Sequence, residues 1–463
     1  MIVSPSQWHV QIMTRKPSLS LVGSLLLCTA ACATELPPLQ DESGESSGSE
    51  TDAPETGETD DPEAGETDDP PEGDWDDLCL DPPTIGSTAC GDGRVGAGEA
   101  CDDGNDNDND ACTNSCKTTH QATLAFAADA RLIEVAPGDT PETATVLLTE
   151  GLSEDSRVSA HDPAGGQLWT TEPLGYTVAD LAATPDGGVA LIGALMPAWD
   201  DFRLQLARLD PAGETLAEVE LTEGYSLPAP ANLVRADGTM VLVGATPNEI
   251  YNDNPGVWSF DAALDEQWSQ NHWGHIQTAD HPMGVVELDD GTLVVGYVDE
   301  YIDEGDADQT AGVGFDALDP STGELLWTNE VGCLDPANSF SPRVYTRLSD
   351  ETLVVAASRA GVAELLIFDA EGELGDREQW PEVAEPQSVP HDIVADAHGG
   401  AYIVGELWED GLRDSYVAYW HPEHSLRWIV RLGFGASGRY DAALEPDERL
   451  WVVHDAQVAF VEL

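Results

Sequence analysis

A seven-residue phrase recurs along the C-terminal two thirds of the chain, and its clearest copy is DGTLVVG at positions 290–296. Asp-Gly supplies the positive φ that a tight turn needs, and the apolar run behind it suits a strand covered on both faces. Related copies are GGVALIG (187–193), GTMVLVG (238–244), DETLVVA (350–356), GGAYIVG (399–405) and ERLWVVH (448–454). The spacing of about 50 residues indicates a repeat architecture.

Each repeat contains four predicted strands, so the region 121–463 is predicted to be all-β. Four strands in each unit of about 50 residues, with a periodic tryptophan, are typical of a β-propeller blade. The length favours a seven-bladed β-propeller, with six or eight blades as alternatives, and TATVLLT (143–149) supplies the missing early phrase. A β-solenoid is the main rival, but its repeats are shorter.

The two ends of this region predict how the ring closes. The last unit, 439–463, has room for only three strands. We therefore expect its fourth strand to come from the start of the domain, near 122–127, because this pairing removes the open sheet edges.

The charge of the chain limits its partners. It has 88 acidic residues and 18 basic ones. Nucleic acid is an unsuitable partner, because binding to phosphates needs a basic surface. The acidic residues favour solubility of the protein, and cation binding is the more specific alternative.

The N-terminus has the pattern of an export signal. Arg15 and Lys16 precede a short apolar run, which is followed by Ala30-Ala31-Cys32. This segment resembles a bacterial lipoprotein signal, which implies a signal peptide over 1–31, with Met13 as an alternative start, and a lipid on Cys32. Ala33 stands where an inner-membrane retention aspartate would, which favours the outer membrane, on its periplasmic side or at the cell surface. Secretion without a lipid is the alternative.

Two further segments separate this signal from the repeats. Residues 32–77 are acidic and rich in Pro, Gly, Ser and Thr, which predicts a disordered linker. Residues 78–120 form a small cysteine-rich module with four closely spaced cysteines. In an exported chain they predict two disulfides in one of three pairings, with a zinc site as the alternative. These cysteines are Cys90, Cys101, Cys112 and Cys116.

The module carries a specific resemblance and a candidate metal site. CGDGRVGAGEACDDGN (90–105), followed by two more cysteines, resembles the cysteine-rich repeat of myxobacterial surface and secreted proteins, which implies an adhesion or architectural module. Its oxygen-bearing side chains are candidate calcium ligands, although the spacing excludes an EF-hand and a solvated turn is the alternative. These residues are Asp102, Asp103, Asn105, Asp106, Asp108 and Asp110.

A second resemblance lies in the repeats. ALDPSTGELLW (317–327) resembles the tryptophan-docking repeat of quinoprotein dehydrogenases, which implies that the tryptophans pack between blades. The adjacent cysteine pair of that family is absent, and its calcium and quinone ligands have no match here. Cys333 is predicted to be either buried and free or paired with Cys79.

Superposing the phrases places several polar residues on the predicted inner strands, which line the channel of a propeller. These groups are predicted to bind a cation or a small polar ligand. The alternative is that Arg343 only neutralises the aspartates in a wet channel. The residues are Asp180, Arg343, His391, Asp392 and Asp441.

These observations favour a lipid-anchored envelope protein whose propeller is a scaffold for a protein or carbohydrate ligand, with calcium as the one cofactor considered. No catalytic motif stands out, so an enzyme is disfavoured but open. The enzymatic alternatives are a quinoprotein-like oxidoreductase and a polysaccharide hydrolase or lyase that uses channel carboxylates. A purely structural envelope protein is the third class.

Overall fold

The structure is a computed structural model whose described residues form 28 β-strands and no helix. It describes residues 122–126, 130–136, 145–150, 156–198, 201–221, 226–247, 253–271, 281–302, 309–333, 340–359, 361–379, 387–409, 412–422, 425–432, 440–445, 449–454 and 457–462. The predicted signal peptide, acidic linker and cysteine-rich module lie outside these ranges, and so do Cys32, Cys79, the four module cysteines and the predicted calcium ligands of the module.

The strands are numbered in chain order. The first nine are β1 Ala122–Phe126, β2 Ala130–Ala136, β3 Thr145–Glu150, β4 Arg157–His161, β5 Gln167–Thr170, β6 Thr177–Ala183, β7 Val189–Ala198, β8 Asp201–Leu209 and β9 Thr215–Leu221. The next eight are β10 Ser226–Val234, β11 Met240–Pro247, β12 Asp253–Phe260, β13 Glu266–Asn271, β14 His281–Glu287, β15 Leu293–Ile302, β16 Gln309–Leu318 and β17 Leu325–Cys333. The remaining strands are β18 Phe340–Arg347, β19 Leu353–Arg359, β20 Val362–Phe368, β21 Leu374–Gln379, β22 Gln387–Ala395, β23 Ala401–Glu409, β24 Leu412–His421, β25 Ser425–Arg431, β26 Tyr440–Leu444, β27 Arg449–His454 and β28 Gln457–Glu462.

These strands form seven four-stranded antiparallel sheets, which are the blades of a β-propeller. Blades 1 to 6 are β2–β5, β6–β9, β10–β13, β14–β17, β18–β21 and β22–β25. Blade 7 has the order β26-β27-β28-β1, and Ala122 of β1 pairs with Val461 of β28. The predicted seven blades and the predicted closing strand are both confirmed.

The recurring phrase forms the second strand of a blade, and its apolar run has a simple physical cause. In β15, Leu293 and Val295 pack against blade 3, whereas Val294 between them packs against blade 5. Alternate side chains of a strand point to opposite faces, and a neighbouring blade covers each face. Seven buried clusters, one at each interface between blades, make up the core of the described region.

A five-residue turn joins the first two strands of blades 2 to 7. Its first residue, here called the turn-opening residue, donates its backbone N–H to the carbonyl of the residue four positions later. In most blades a glycine with positive φ follows, such as Gly291 at 92°, but Glu351 takes this conformation at 70° in blade 5. The turn-opening residues are Thr184, Arg235, Leu288, Leu348, Asp396 and Glu445.

The periodic tryptophans join neighbouring blades. The Trp169 indole N–H of blade 1 donates to the Pro211 carbonyl of blade 2 over 2.9 Å, and the Trp268 N–H of blade 3 donates to the Pro320 carbonyl of blade 4 over 2.9 Å. In blades 2 and 4 a glycine with positive φ lies against the docked ring, where a Cβ would clash with it. The tryptophans therefore pack between blades, as the sequence predicts.

Candidate functional site

A cavity of about 420 Å³ lies at the axis of the propeller, on the inner strands of blades 6, 7, 1 and 2. Each of these four strands contributes a carboxylate to its wall. They are Glu134 of β2, Asp180 of β6, Asp392 of β22 and Asp441 of β26. Three of the predicted channel residues, Asp180, Asp392 and Asp441, therefore lie together around one cavity.

Two of these aspartates link neighbouring blades through backbone amides. Asp392 Oδ1 accepts the N–H of Ile393 at 2.8 Å, and its Oδ2 accepts the N–H of Ala442 in blade 7 at 2.7 Å. Asp441 Oδ2 accepts the N–H of Ile133 in blade 1 at 2.6 Å. Each of these carboxylates therefore ties its own strand to the first strand of the next blade.

Asp180 repeats the local part of this arrangement. Its Oδ1 accepts the N–H of Leu181 at 2.9 Å, as Asp392 does with the residue that follows it. All three aspartates stand four residues before the turn-opening residue of their blade, and we call this place the ring position.

The ring position differs from the sequence superposition in blades 4 and 5. It is occupied there by Gly284 and Val344, because the DG and DE copies of the phrase begin one residue earlier in the turn than the GG copies do. Arg343 instead lies at a register shift between Pro342 and Val344. The sequence superposition placed Arg343 in line with the aspartates, whereas in the structure it lies one residue before the ring position.

His391 occupies the equivalent register shift in blade 6, between Pro390 and Asp392. Its ring stacks on Tyr440 with centroids 5.2 Å apart, and its Nε2 lies 3.8 Å from Glu406 Oε1. Tyr440 in turn stacks on His454 at 4.2 Å. His391 is thus part of the contact between blades 6 and 7, and it is not among the residues that line the cavity.

Glu134 is the cavity residue that sequence reasoning missed. Burial, together with the negative charges of Asp180 and Asp392, raises its pKa from 4.5 to about 8. The carboxyl group therefore holds a proton at neutral pH. It escaped detection because the phrase of blade 1 is degenerate and lies farther from its inner strand. The signal that remained was a single acid within the apolar strand ARLIEVA (130–136).

Two more carboxylates line the cavity from the turn-opening positions of blades 6 and 7. Asp396 accepts the N–H groups of His398 and Gly400 and the hydroxyl of Tyr419, at 2.7–2.8 Å. Glu445 is 1% exposed, and its Oε1 accepts the indole N–H of Trp451 at 2.8 Å. These side chains extend the negative wall to the end of the channel where the turns lie.

The arrangement has limits for metal binding. Within the described ranges, no three His, Cys, Asp or Glu side chains come close enough together to hold a metal ion. The channel carboxylates are thus spread over a cavity wall and do not converge on one point. The calcium ligands predicted in the cysteine-rich module remain a prediction.

The similarity of the chain to known proteins is low. No family model and no curated protein matches the chain. Among solved structures it is similar to Drosophila Plexin A in complex with Semaphorin 1b (11% identity, TM-score 0.42, covering 74% of this chain and 88% of that one). It is also similar to a Synechocystis apocarotenoid oxygenase mutant (11%, 0.40, 63% and 71%) and to the AfRom2 CNH domain (10%, 0.41, 74% and 99%). In the part of the chain that the structure describes, no helix is long and apolar enough to cross a membrane.

Proposed function

We propose that this protein is an exported binding scaffold, tethered by a lipid on Cys32, whose propeller takes a ligand in the channel cavity. The tether follows from the lipoprotein-like signal and the acidic segment 32–77. The propeller supplies a rigid body, and its ligand is a protein, a carbohydrate or a smaller molecule bearing a complementary group.

The observation that carries this proposal is the preformed cavity. Asp392 and Asp441 are fixed by amides of the adjoining blades, so the wall keeps its shape without a ligand. Its volume of about 420 Å³ falls within the range of small-molecule sites. A site that is rigid before binding loses little conformational entropy when the ligand enters.

The hydrogen bonds of the wall favour binding over nucleophilic catalysis. The hydrogen bonds described for its carboxylates come from backbone amides and from the polar hydrogens of Tyr419 and Trp451. Such contacts orient charges but activate no nucleophile. Dye reduction by the mature protein after addition of quinone and calcium would instead support the oxidoreductase.

The cavity can be tested by filling it. Ala397 is exposed and lines the rim in blade 6, so Ala397→Trp should obstruct entry without disturbing the core. Ala263→Trp makes the same change at an exposed turn of blade 3 and is the matched control. In a thermal-shift screen of amines, amino acids, sugars and peptides, a ligand that stabilises wild type and Ala263→Trp should fail to stabilise Ala397→Trp. Equal stabilisation of all three proteins would place the site elsewhere.

The tether has its own test. Labelling of producing cells with radioactive palmitate should mark the wild-type protein, and Cys32→Ala should abolish the label and release the protein from membranes. A labelled Cys32→Ala protein, or an unlabelled wild type, would contradict the anchor without affecting the channel site.

A further inference from the structure

The ionisable side chains in the wall of the cavity are mostly acidic. The wall contains six carboxyl groups, one histidine and no Lys or Arg among the described residues. The carboxyl groups are those of Glu134, Asp180, Asp392, Asp396, Asp441 and Glu445. Such a wall in a concave site attracts a positive charge more strongly than a flat exposed surface does.

Glu445 adds an independent observation. Its side chain is 1% exposed, and its Oε2 has no hydrogen-bond partner. Arg449 forms an ion pair with this oxygen, but its Nη1 lies 3.7 Å away, which is too far for a hydrogen bond. The oxygen therefore has a charge partner but still lacks a hydrogen-bond donor.

The kind of cation follows from the spread of the carboxylates. They come from four blades and do not converge closely enough to hold a metal ion. An organic amine carries its ammonium group at one end of a longer molecule, so the rest of the molecule can extend along such a spread wall. Building on the binding function proposed above, we infer that the cavity binds an organic amine through its ammonium group, with Glu134 among the acceptors and Glu445 contributing to the attraction from the turn end of the channel.

Glu134 gives this binding a chemical signature. Asp180 of β6, Asp392 of β22 and Asp441 of β26 surround it in the wall, and like charges together with burial keep it protonated at neutral pH. An ammonium ion that enters the site lowers the pKa of Glu134 and displaces its proton. Binding should therefore release a proton, which loose counter-ion association at the outer surface would not do.

Calorimetry of the mature protein with putrescine tests the inference. Repeating the titration near pH 7 in two buffers of different ionisation enthalpy counts the protons released. Butane-1,4-diol is the neutral control of equal length, and Nα-acetyl-lysine amide tests whether a lysine side chain of a protein is also accepted. We expect saturable binding of putrescine at one site, release of a large part of one proton, and no binding of the diol.

Variants decide between the cavity and the surface. Glu134→Gln copies the shape of the protonated side chain, so it should fold, abolish proton release and weaken binding by roughly tenfold or more. Glu445→Gln should weaken binding by a similar factor. Glu324→Gln, at an exposed turn of blade 4, should bind as wild type does. Equal affinity in all variants, or equal binding of the diol, would overturn the inference.

Failure of amine binding can be distinguished from failure of the cavity as a binding site. If no amine binds but another ligand stabilises wild type and not Ala397→Trp, the cavity is a binding site for a different chemical class. If Glu445→Gln fails to fold, Glu134→Gln alone tests the inference through proton release and affinity.

Discussion

Blades 6, 7 and 1 are joined near the axis by charged groups, whereas blades 4 and 5 are joined by an aromatic one. Asp392 and Asp441 accept amides from the next blade. Between blades 4 and 5, the Tyr345 hydroxyl donates to the Val294 carbonyl at 2.6 Å and accepts the Gly296 N–H at 3.1 Å. Neighbouring blades are therefore held together by aspartate carboxylates in one part of the ring and by a tyrosine hydroxyl in another.

The two kinds of link also fill the space near the axis differently. Tyr345 is 8% exposed and packs edge-on against Phe315, with ring centroids 5.7 Å apart, so this link fills the space it spans. The aspartates span their interfaces with short side chains and bring negative charge to the wall of an open cavity. One side of the ring is thus filled by side chains near the axis, while the other side surrounds the cavity.

The largest effect should come from the aromatic link. Tyr345→Ala removes a buried ring and its two hydrogen bonds, and we expect a loss of about 3–5 kcal/mol in the free energy of unfolding, measured in urea. Tyr345→Phe keeps the ring but leaves the Gly296 amide without its acceptor, and should cost about 1–3 kcal/mol. Equal losses would show that packing of the ring contributes little.

The charged link should be weaker. Asp392→Ala leaves the amides of Ile393 and Ala442 without acceptors, and we expect a loss of about 1–3 kcal/mol in the free energy of unfolding. It also removes a negative charge beside Glu134, so the pKa of that carboxyl should fall. Asp392→Asn, which keeps one acceptor oxygen, should lie between the alanine variant and wild type. Unchanged stability of Asp392→Ala would mean that the linkage adds nothing.

The carboxyl groups around the cavity should also make the stability of the protein depend on pH. The folded protein holds the Glu134 proton up to about pH 8, whereas the ordinary pKa is 4.5. The stabilisation that the protonated Glu134 gives to the folded state is therefore fully present below about pH 4.5 and is lost as the pH rises towards 8. Urea unfolding between pH 5 and 8 should show this decline in wild type, and Glu134→Gln should show less of it.

Aspartates in the turns should have the opposite effect, because they make the protein less stable at acid pH. Hydrogen bonds from Thr292 lower the pKa of Asp290, and those from Ser321 lower the pKa of Asp319. Stability from these groups is lost only as the pH falls below their ordinary values near 4, so this loss lies outside the Glu134 window. A decline confined to acid pH would contradict the raised pKa of Glu134.

The smallest effect should come from the ion pair between blades 3 and 4. Arg235 Nη2 lies 2.6 Å from Glu287 Oε1, and both side chains are partly exposed. Arg235→Gln should lower the free energy of unfolding by about 0.5–1 kcal/mol at low salt, and the loss should shrink at high salt. A larger loss that is insensitive to salt would indicate packing of the arginine stem.

The repeat made much of the site predictable. Counting back from the phrase found Asp180, Asp392 and Asp441, because the turn holds a constant register in blades 2, 6 and 7. The same count failed at Arg343, since the turn starts at a different residue of the phrase in blade 5. Glu134 was missed because its blade lacks a regular phrase, although a lone acid in an apolar strand was visible.

The sequence by itself determined the blades, the closing strand and the docking of the tryptophans. These depend on local turn chemistry, on alternation along a strand and on a period near 50 residues, all of which are written along the chain. Only the tertiary structure decided which carboxylates share a cavity, which amides hold them and which one keeps its proton. Asp441 and Ile133 are 308 residues apart in the chain, and burial and neighbouring charge exist only once the ring has closed.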